Sequence, residues 1–503
     1  MTSNEKPDSD AVALAGEPAP SATSARPSDQ VSGRVLVLVV LCLAQFMCVL
    51  DDTIVNIALP SIQTDLGFSG TGLQWVLNGY LLTFGGLLLL AGRASDFFVR
   101  RTVFLTGLVV FGLSSLTCGL AASPAMLVVS RIVQGMGAAM LSASALAILT
   151  ATFTGPARAR AFGLWGGLSG AAGATGVLLG GLLTSTLSWR WVFLVNVPVL
   201  LLVAVLTLRR VSAARTAERL PLDPWGAITV TAGLGLLIFG VVKSDQAGWA
   251  APVTLSTLAA GVVLLVVFLL IERTHPSPLV PLGVFARRNV TGGAICALLL
   301  ASTMLGTFFF LSLYLQQVLG FSALQNGVAF LPFAIAVMFS AAMSSQLVTK
   351  AGFKPLLMGG FGLLVVALLW LAQIGLHGSY WVDVLGPALL AGVGLGTLLV
   401  SSVTATTQDL SGEGELGLAS GLVTSTNQVG GALGLAILST AAFARADSHQ
   451  AAPVATPESL LAGFQLAFYI AAGFALLGFL VSALVTTRVV GHPLNEAQQM
   501  ARH

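Results

Sequence analysis

The chain has 503 residues, 56% of them hydrophobic and only 9% charged. Soluble domains carry roughly 25% charged residues, so this composition excludes an ordinary water-facing surface and suits a lipid-facing one. A formal net charge of +3 gives no basis for a nucleic-acid partner.

Residues 1–33 are rich in Ser, Pro and Ala and contain no apolar run. Such a segment reads as a disordered cytoplasmic tail without a secretion signal, ahead of a first helix that stays in the membrane. A helix needs about 20 apolar residues to cross the hydrocarbon core. Fourteen runs meet that length, near 35–58, 72–92, 102–122, 125–150, 161–185, 191–208, 225–243 and 253–271, then 290–316, 325–348, 355–375, 382–405, 418–443 and 464–487. The 56 glycines fit this reading, because small residues let transmembrane helices approach closely. Cys42, Cys48, Cys118 and Cys296 all lie in apolar runs without metal or disulfide spacing, and read as packing residues.

With the first helix running outward, nineteen of the 23 Lys and Arg fall in cytoplasmic tails and loops. Arg190, Lys243 and Arg445 fall outside, and Arg131 falls within a helix. That bias predicts a multi-pass protein of the cell membrane (plasma or inner) with both termini in the cytoplasm. Trp189, Trp191, Trp249 and Trp381 sit near the expected outer helix ends, as an aromatic belt requires.

The segment 92–101, which precedes one apolar helix, has a counterpart at 345–354 before another. Gly135 and Gly137 have partners in Gly392, Gly394 and Gly396 at nearly the same offset. Two six-helix halves with an inserted helix pair explain the offset and the count of fourteen. The expected organisation is a tail at 1–33, a six-helix bundle at 34–208, cytoplasmic linkers with two extra transmembrane helices at 209–288, a second bundle at 289–490 and a cytoplasmic tail at 491–503. Repeated halves with a site between them are a secondary-transporter plan.

Charges inside helices are the candidates for chemistry. The first helix contains Asp51 and Asp52, and a carboxylate at the bilayer centre costs on the order of 3 kcal/mol. At 1.5 Å per residue, Asp51 lies roughly 24 Å from the cytoplasmic edge of the membrane, and Arg131 of the fourth helix roughly 9 Å below the outer edge. Both therefore fall in the outer half, as candidates for a pair. Desolvation and a neighbouring guanidinium pull a carboxylate's protonation in opposite directions, which suits a proton carrier. Asp52 shares a helical stripe with Gln45 and Asn56, so periodicity points Asp52 at a polar cavity. Gln134, Asn427 and Gln428 are further cavity candidates. The fifth helix carries glycines from Gly163 to Gly181 that give it a smooth face for packing or sliding.

None of the four lysines follows a glycine, so there is no phosphate-binding loop for ATP hydrolysis. The five histidines are scattered through loops and tails, no metal site is expected, and no catalytic signature appears.

Several segments together resemble the major facilitator superfamily, and within it the fourteen-helix drug:proton antiporter group. The stretch from Leu50 to Pro60 (LDDTIVNIALP) is similar to that group's first-helix motif, with Asp51 in the acidic position. Residues 92–101 resemble the superfamily's signature loop, with Asp96 as its acidic residue, and the run from Arg131 to Gly137 resembles the fourth-helix motif. Trp189 to Pro198 and Pro278 to Leu282 are also similar to the group. Val99 replaces the usual loop glycine, and Val177 a usual proline of the fifth helix.

The resemblance implies an all-α membrane protein of the major facilitator fold that exports amphipathic drug- or antibiotic-like molecules by alternating access, driven by a proton gradient. It implies proton coupling at Asp51 and Arg131, where periodicity keeps Asp52 in view. It also implies a cytoplasmic gate latch at Gly92, Asp96, Arg100 and Arg101. The expected partners are a small-molecule substrate, protons and the bilayer, with no nucleic acid, no ATP and no cofactor, and the chain is expected to act as a monomer and not as an enzyme. The alternatives are an exporter or symporter specific for one metabolite, and a transporter-like sensor or scaffold.

Overall fold

The computed structural model describes residues 27–211, 222–408, 413–448 and 456–486. Residues 1–26 and 491–503 of the expected tails lie outside them, as do Arg215, Arg219 and Arg488 of the basic-residue count. Among the described residues the regular elements are all helical, and fourteen helices are long and apolar enough to cross a membrane. They are α1 (Arg34–Leu66), α2 (Gly70–Phe97), α3 (Arg100–Gly119), α4 (Pro124–Thr152), α5 (Arg160–Thr186), α6 (Trp191–Arg210), α7 (Pro224–Ser244) and α8 (Pro252–Thr274). The second set is α9 (Arg288–Val318), α10 (Ala323–Ala351), α11 (Phe353–Leu371), α12 (Tyr380–Thr407), α13 (Gly421–Ser448) and α14 (Pro457–Leu484).

The ends follow local chemistry. Ser123 caps α4 by accepting from Met126 N, and Asp223 caps α7 by accepting from Gly226 N. Thr456 and Ser459 bond reciprocally at the head of α14, which starts at Pro457 and not near 464. The helix carrying α1 begins at Pro27, inside the expected tail, and continues through Pro60 to Leu66. Pro60 has no N–H to offer the carbonyl of Asn56 one turn back. That carbonyl instead accepts from Ser312 Oγ of α9 at 3.3 Å, and the next one, of Ile57, accepts from Gln316 Nε2 at 3.2 Å.

The helices form two bundles with the same internal packing. In the first, α4 lies between α2 and α3, while α5 packs on α1. In the second, α12 lies between α10 and α11, while α13 packs on α9. Glycines set these distances. A Cβ on Gly135 would collide with Tyr80 O of α2, and one on Gly137 would sit 2.6 Å from Phe111 N of α3. On α12, Gly396 meets Val337 O of α10 and Gly394 meets Gly360 O of α11 in the same way. The inserted helices α7 and α8 pack on each other, and α7 lies against α2 and α13. Most of α8 faces outward with exposed Leu255, Val262, Val266 and Leu270, a lipid-facing surface.

An even number of spans brings the start of α1 and the end of α14 to one end of the bundle, the terminus end. At the opposite end both seams between the halves are closed. There Gly181 of α5 would place a Cβ 2.6 Å from Ala323 O of α10, and Gly70 of α2 would meet the ring of Phe443 of α13. At the terminus end the two seams differ. Gly421 of α13 still meets Leu89 of α2, beside an apolar cluster that includes Ala227, Val280, Val290 and Leu422. On α5, by contrast, a Cβ at Gly163, Gly166, Gly167, Gly170 or Gly173 would meet nothing within 4 Å.

The α3–α4 contact makes a direct test. Gly137→Val drives a side chain into the backbone of Phe111, and overpacking of this kind costs about 1–3 kcal/mol. The purified variant is expected to melt well below wild type on size-exclusion thermal scans. Gly112→Ala, whose Cβ meets only Leu200 Cδ1 at 3.8 Å, is expected to melt with wild type.

Candidate functional site

Five helices of the first bundle converge on Asp51, which is fully buried. Its Oδ2 accepts from Arg131 Nη1 at 2.5 Å, and both side chains are 0% exposed. Its Oδ1 accepts from Gln134 Nε2 at 2.8 Å and from Asn196 Nδ2 at 2.7 Å. Both amides also donate to Ser115 Oγ of α3, at 2.8 and 3.3 Å. Arg131 donates from Nε to Val76 O of α2 at 2.8 Å and from Nη1 to Gln134 Oε1 at 2.7 Å. Its Nη2 has no hydrogen-bond partner. The guanidinium lies 4.3 Å from the centre of the Tyr80 ring and 5.6 Å from that of Phe193, whose faces attract a cation. A buried charge needs a counter-charge and filled hydrogen-bonding positions, and Asp51 has both.

Asp52 points elsewhere, because consecutive helical residues diverge by about 100°. It lines a cavity of about 170 Å³ between the two halves. Leu81 of α2, Met304 and Leu305 of α9, and Thr424, Asn427 and Gln428 of α13 are among the other walls.

Of the expected cavity residues, Asn427 and Gln428 line this space and three others are placed apart from it. Gln134 is committed to the Asp51–Arg131 network. Gln45 accepts from Ser142 Oγ of α4 at 3.2 Å. Asn56 donates its amide back to the carbonyl of Asp52 at 3.0 Å, so that the stripe read from periodicity is broken by a bond within the helix.

The Major Facilitator Superfamily profile matches residues 41–435. The chain belongs to the major facilitator superfamily. Over 450 residues it is 39% identical to a puromycin resistance protein of Streptomyces alboniger, covering 88% of this chain and 89% of that protein. A cephamycin export protein of Amycolatopsis lactamdurans is 40% identical over 423 residues, covering 82% and 86%. A tetracenomycin C resistance and export protein of Streptomyces glaucescens is 36% identical over 424 residues, covering 83% and 78%. In architecture the chain is similar to an inward-facing, unoccupied bacterial homolog of the human lysosomal transporter Spinster, with a TM-score of 0.65 at 17% identity over 92% of this chain and 98% of that one.

In this major facilitator chain the α2–α3 loop makes its contacts within its own half and to the inserted pair. Asp96 pairs with Arg100 at 3.7 Å, both part-exposed. Arg101 donates to Leu208 O of α6 at 2.9 Å, and Arg93 donates to Pro278 O, in the α8–α9 connection, at 3.2 Å. A Cβ on Gly92 would meet nothing within 4 Å. At the opposite end Trp189 departs from the expected belt. It is 4% exposed and donates from Nε1 to Asp65 Oδ2 at 2.9 Å, where Arg190 also binds at 2.6 Å. Trp191, Trp249 and Trp381 are exposed as expected.

The sequence reading missed Asn196 as a partner of Asp51, and Ser115 as the hydroxyl that accepts from both amides. Asn196 left a signal, a lone amide in the apolar run of α6. Ser115 left none, because a serine in a transmembrane helix commonly bonds its own backbone.

Removing one partner of a buried pair leaves a bare charge and costs about 3–5 kcal/mol. Arg131→Ala is therefore expected to destabilise the purified protein strongly. Adding Asp51→Asn is expected to return a large part of that loss in a double-mutant cycle. Additive effects of the two changes would exclude a coupled pair.

Proposed function

We propose that this chain is a proton-coupled secondary active exporter of amphipathic, drug- or antibiotic-like small molecules, working by alternating access in the bacterial cell membrane. The observation that carries the reading is a fully buried carboxylate–guanidinium pair one residue away from a cavity between the halves. The names of its relatives support the substrate class: they concern resistance to puromycin and export of cephamycin and tetracenomycin C.

The lysine and arginine bias favours placing the terminus end in the cytoplasm. The splayed α5–α10 seam then opens the molecule toward the cytoplasm, where substrate enters. The opposite end is closed by contacts that must break for release. A proton that reaches Asp51 neutralises the carboxylate and frees Arg131 to find other acceptors, which changes the relative energies of the two states. A ligand moves such an equilibrium only by binding the two states differently, and the carboxylate offers that difference to the proton. The loop of Gly92, Asp96, Arg100 and Arg101 serves as the cytoplasmic latch, unlatched in this state because Asp96 is held by its own neighbour Arg100. The gradient is the energy source, without ATP or cofactor. A single chain encloses the cavity, so a monomer suffices.

Expressed in an efflux-deficient bacterium, the protein is expected to lower accumulation of puromycin and of a cationic dye. A protonophore should restore accumulation, as should Asp51→Asn at equal membrane abundance. Efflux that survives the protonophore would rule out proton coupling, and unchanged accumulation of every compound in a broad panel would rule out export.

A further inference from the structure

Release requires the end opposite the termini to open, and side-chain bonds that cross it come from one short piece of α9. The last turn of α9, Tyr314–Val318, is a π-turn. There the Leu319 N–H donates to Tyr314 O, five residues back instead of four. Such turns are rare, and they occur mostly as single turns at functional positions.

Consecutive side chains of an α-helix point about 100° apart, so two neighbours seldom reach the same partner helix. The wider π-turn narrows that angle. Gln316 Nε2 donates to Ile57 O of α1 and to Ser312 Oγ, each at 3.2 Å. Gln317 Nε2 donates to Gln63 Oε1 of α1 at 3.0 Å. Two adjacent glutamines thus bind one helix of the other half at two levels. Their base is fixed within the second half. Tyr314 is fully buried and donates to Gly375 O at 2.8 Å, and Ser312 accepts from Asn326 Nδ2 of α10 at 2.8 Å.

We propose that the π-turn of α9 is the positioning element of the release gate: it presents Gln316 and Gln317 side by side to α1 and so holds the opposite end shut, and turning them away opens it. The inference rests on the exporter reading for what passes the gate. The balance between closed and open forms is a property of the chain alone.

The surroundings explain why so few bonds decide the balance. Asn56 Oδ1 of α1 and Asn326 Oδ1 of α10 are buried without a hydrogen-bond partner. A buried acceptor left unfilled costs free energy that entering water returns. Closure therefore carries a penalty that offsets part of what the glutamines contribute. With the two forms so nearly balanced, the aim of two side chains is enough to tip them, and a ligand that prefers either form can move them.

The test uses the full-length protein in lipid nanodiscs, spin-labelled at Leu187→Cys and Val382→Cys and read by double electron–electron resonance. Both positions are exposed at the opposite end, one on each half, and Cys42, Cys48, Cys118 and Cys296 are buried. Deletion of Val318 removes the extra residue of the turn and keeps both glutamines. It is expected to raise the open-to-closed ratio roughly tenfold or more, as is Gln316→Ala combined with Gln317→Ala. Gln316→Asn with Gln317→Asn keeps both amides, shortens their reach and is expected to shift the ratio the same way. Gln373→Ala removes a glutamine bond to Tyr469 at the same end but within one half, and is expected to leave the ratio at wild type. The proposal is wrong if the alanine pair leaves the ratio at wild type, or if the folded deletion does. Should the deletion not fold, an asparagine pair at the wild-type ratio overturns the proposal instead. Absence of export of every compound in the accumulation assay removes the exporter reading and leaves these ratios untouched.

Discussion

Everything at the centre of this molecule depends on how one negative charge is kept out of water. Moving a carboxylate into a low-dielectric interior costs several kcal/mol even after relaxation. Asp51 meets that cost with a guanidinium, two amides and, through them, the hydroxyl of Ser115. These partners belong to α3, α4 and α6, and Arg131 is further held by Val76 and Tyr80 of α2. The network thus lies wholly within one half of the protein. A rearrangement of the two halves as rigid bodies leaves it intact, whereas a change in the charge of Asp51 alters the half from within.

The contacts between the halves have a different character. At the opposite end they are single hydrogen bonds from side chains of α9 to α1: Ser312 and Gln316 to the carbonyls of Asn56 and Ile57, and Gln317 to Gln63. Each such bond contributes only about 1 kcal/mol net, and none is an ion pair. These polar bonds are cheap to break, and the rest of the closure is the packing of Gly181 on Ala323 and of Gly70 on Phe443. Pro60 is what makes the Asn56 carbonyl available, because its ring removes the amide that would otherwise take it.

Much of this was legible in the sequence, and the parts that were not share a cause. The fourteen apolar runs stand out because length and hydrophobicity are local, and each reappears as a span. The meeting of Asp51 with Arg131 was legible because the rise of a helix converts residue number into depth. Azimuth was harder. Periodicity placed Gln45, Asp52 and Asn56 on one stripe, yet Gln45 turned to Ser142 and Asn56 bonded its own helix. Side-chain rotamers chose partners that helical spacing cannot encode. Trp189 was misread for a related reason: a tryptophan near a helix end resembles a belt residue until Asp65, 124 positions away in sequence, accepts its indole N–H. Asn196 needed the same long-range knowledge, since its bond to Asp51 spans 145 residues.

The α5–α10 seam shows how small residues turn packing into freedom of movement. Near the opposite end the two helices cross almost backbone to backbone. A Cβ on Gly327 would lie 2.8 Å from Val177 O, and one on Gly181 would lie 2.6 Å from Ala323 O. Toward the terminus end a Cβ on Gly163, Gly166, Gly167, Gly170 or Gly173 of α5 would meet nothing within 4 Å. Side chains do not interlock at such a crossing, so the contact resists separation less than it permits pivoting. Val177, without a proline's ring, leaves the helix that carries α5 continuous from Gly155 to Thr186. The second seam lacks that latitude, because α7 lies against α2 and α13 and an apolar cluster binds their ends together. The inserted helices thus leave the two seams unequal at the terminus end, one packed by α7 and an apolar cluster and one beside bare glycine backbone.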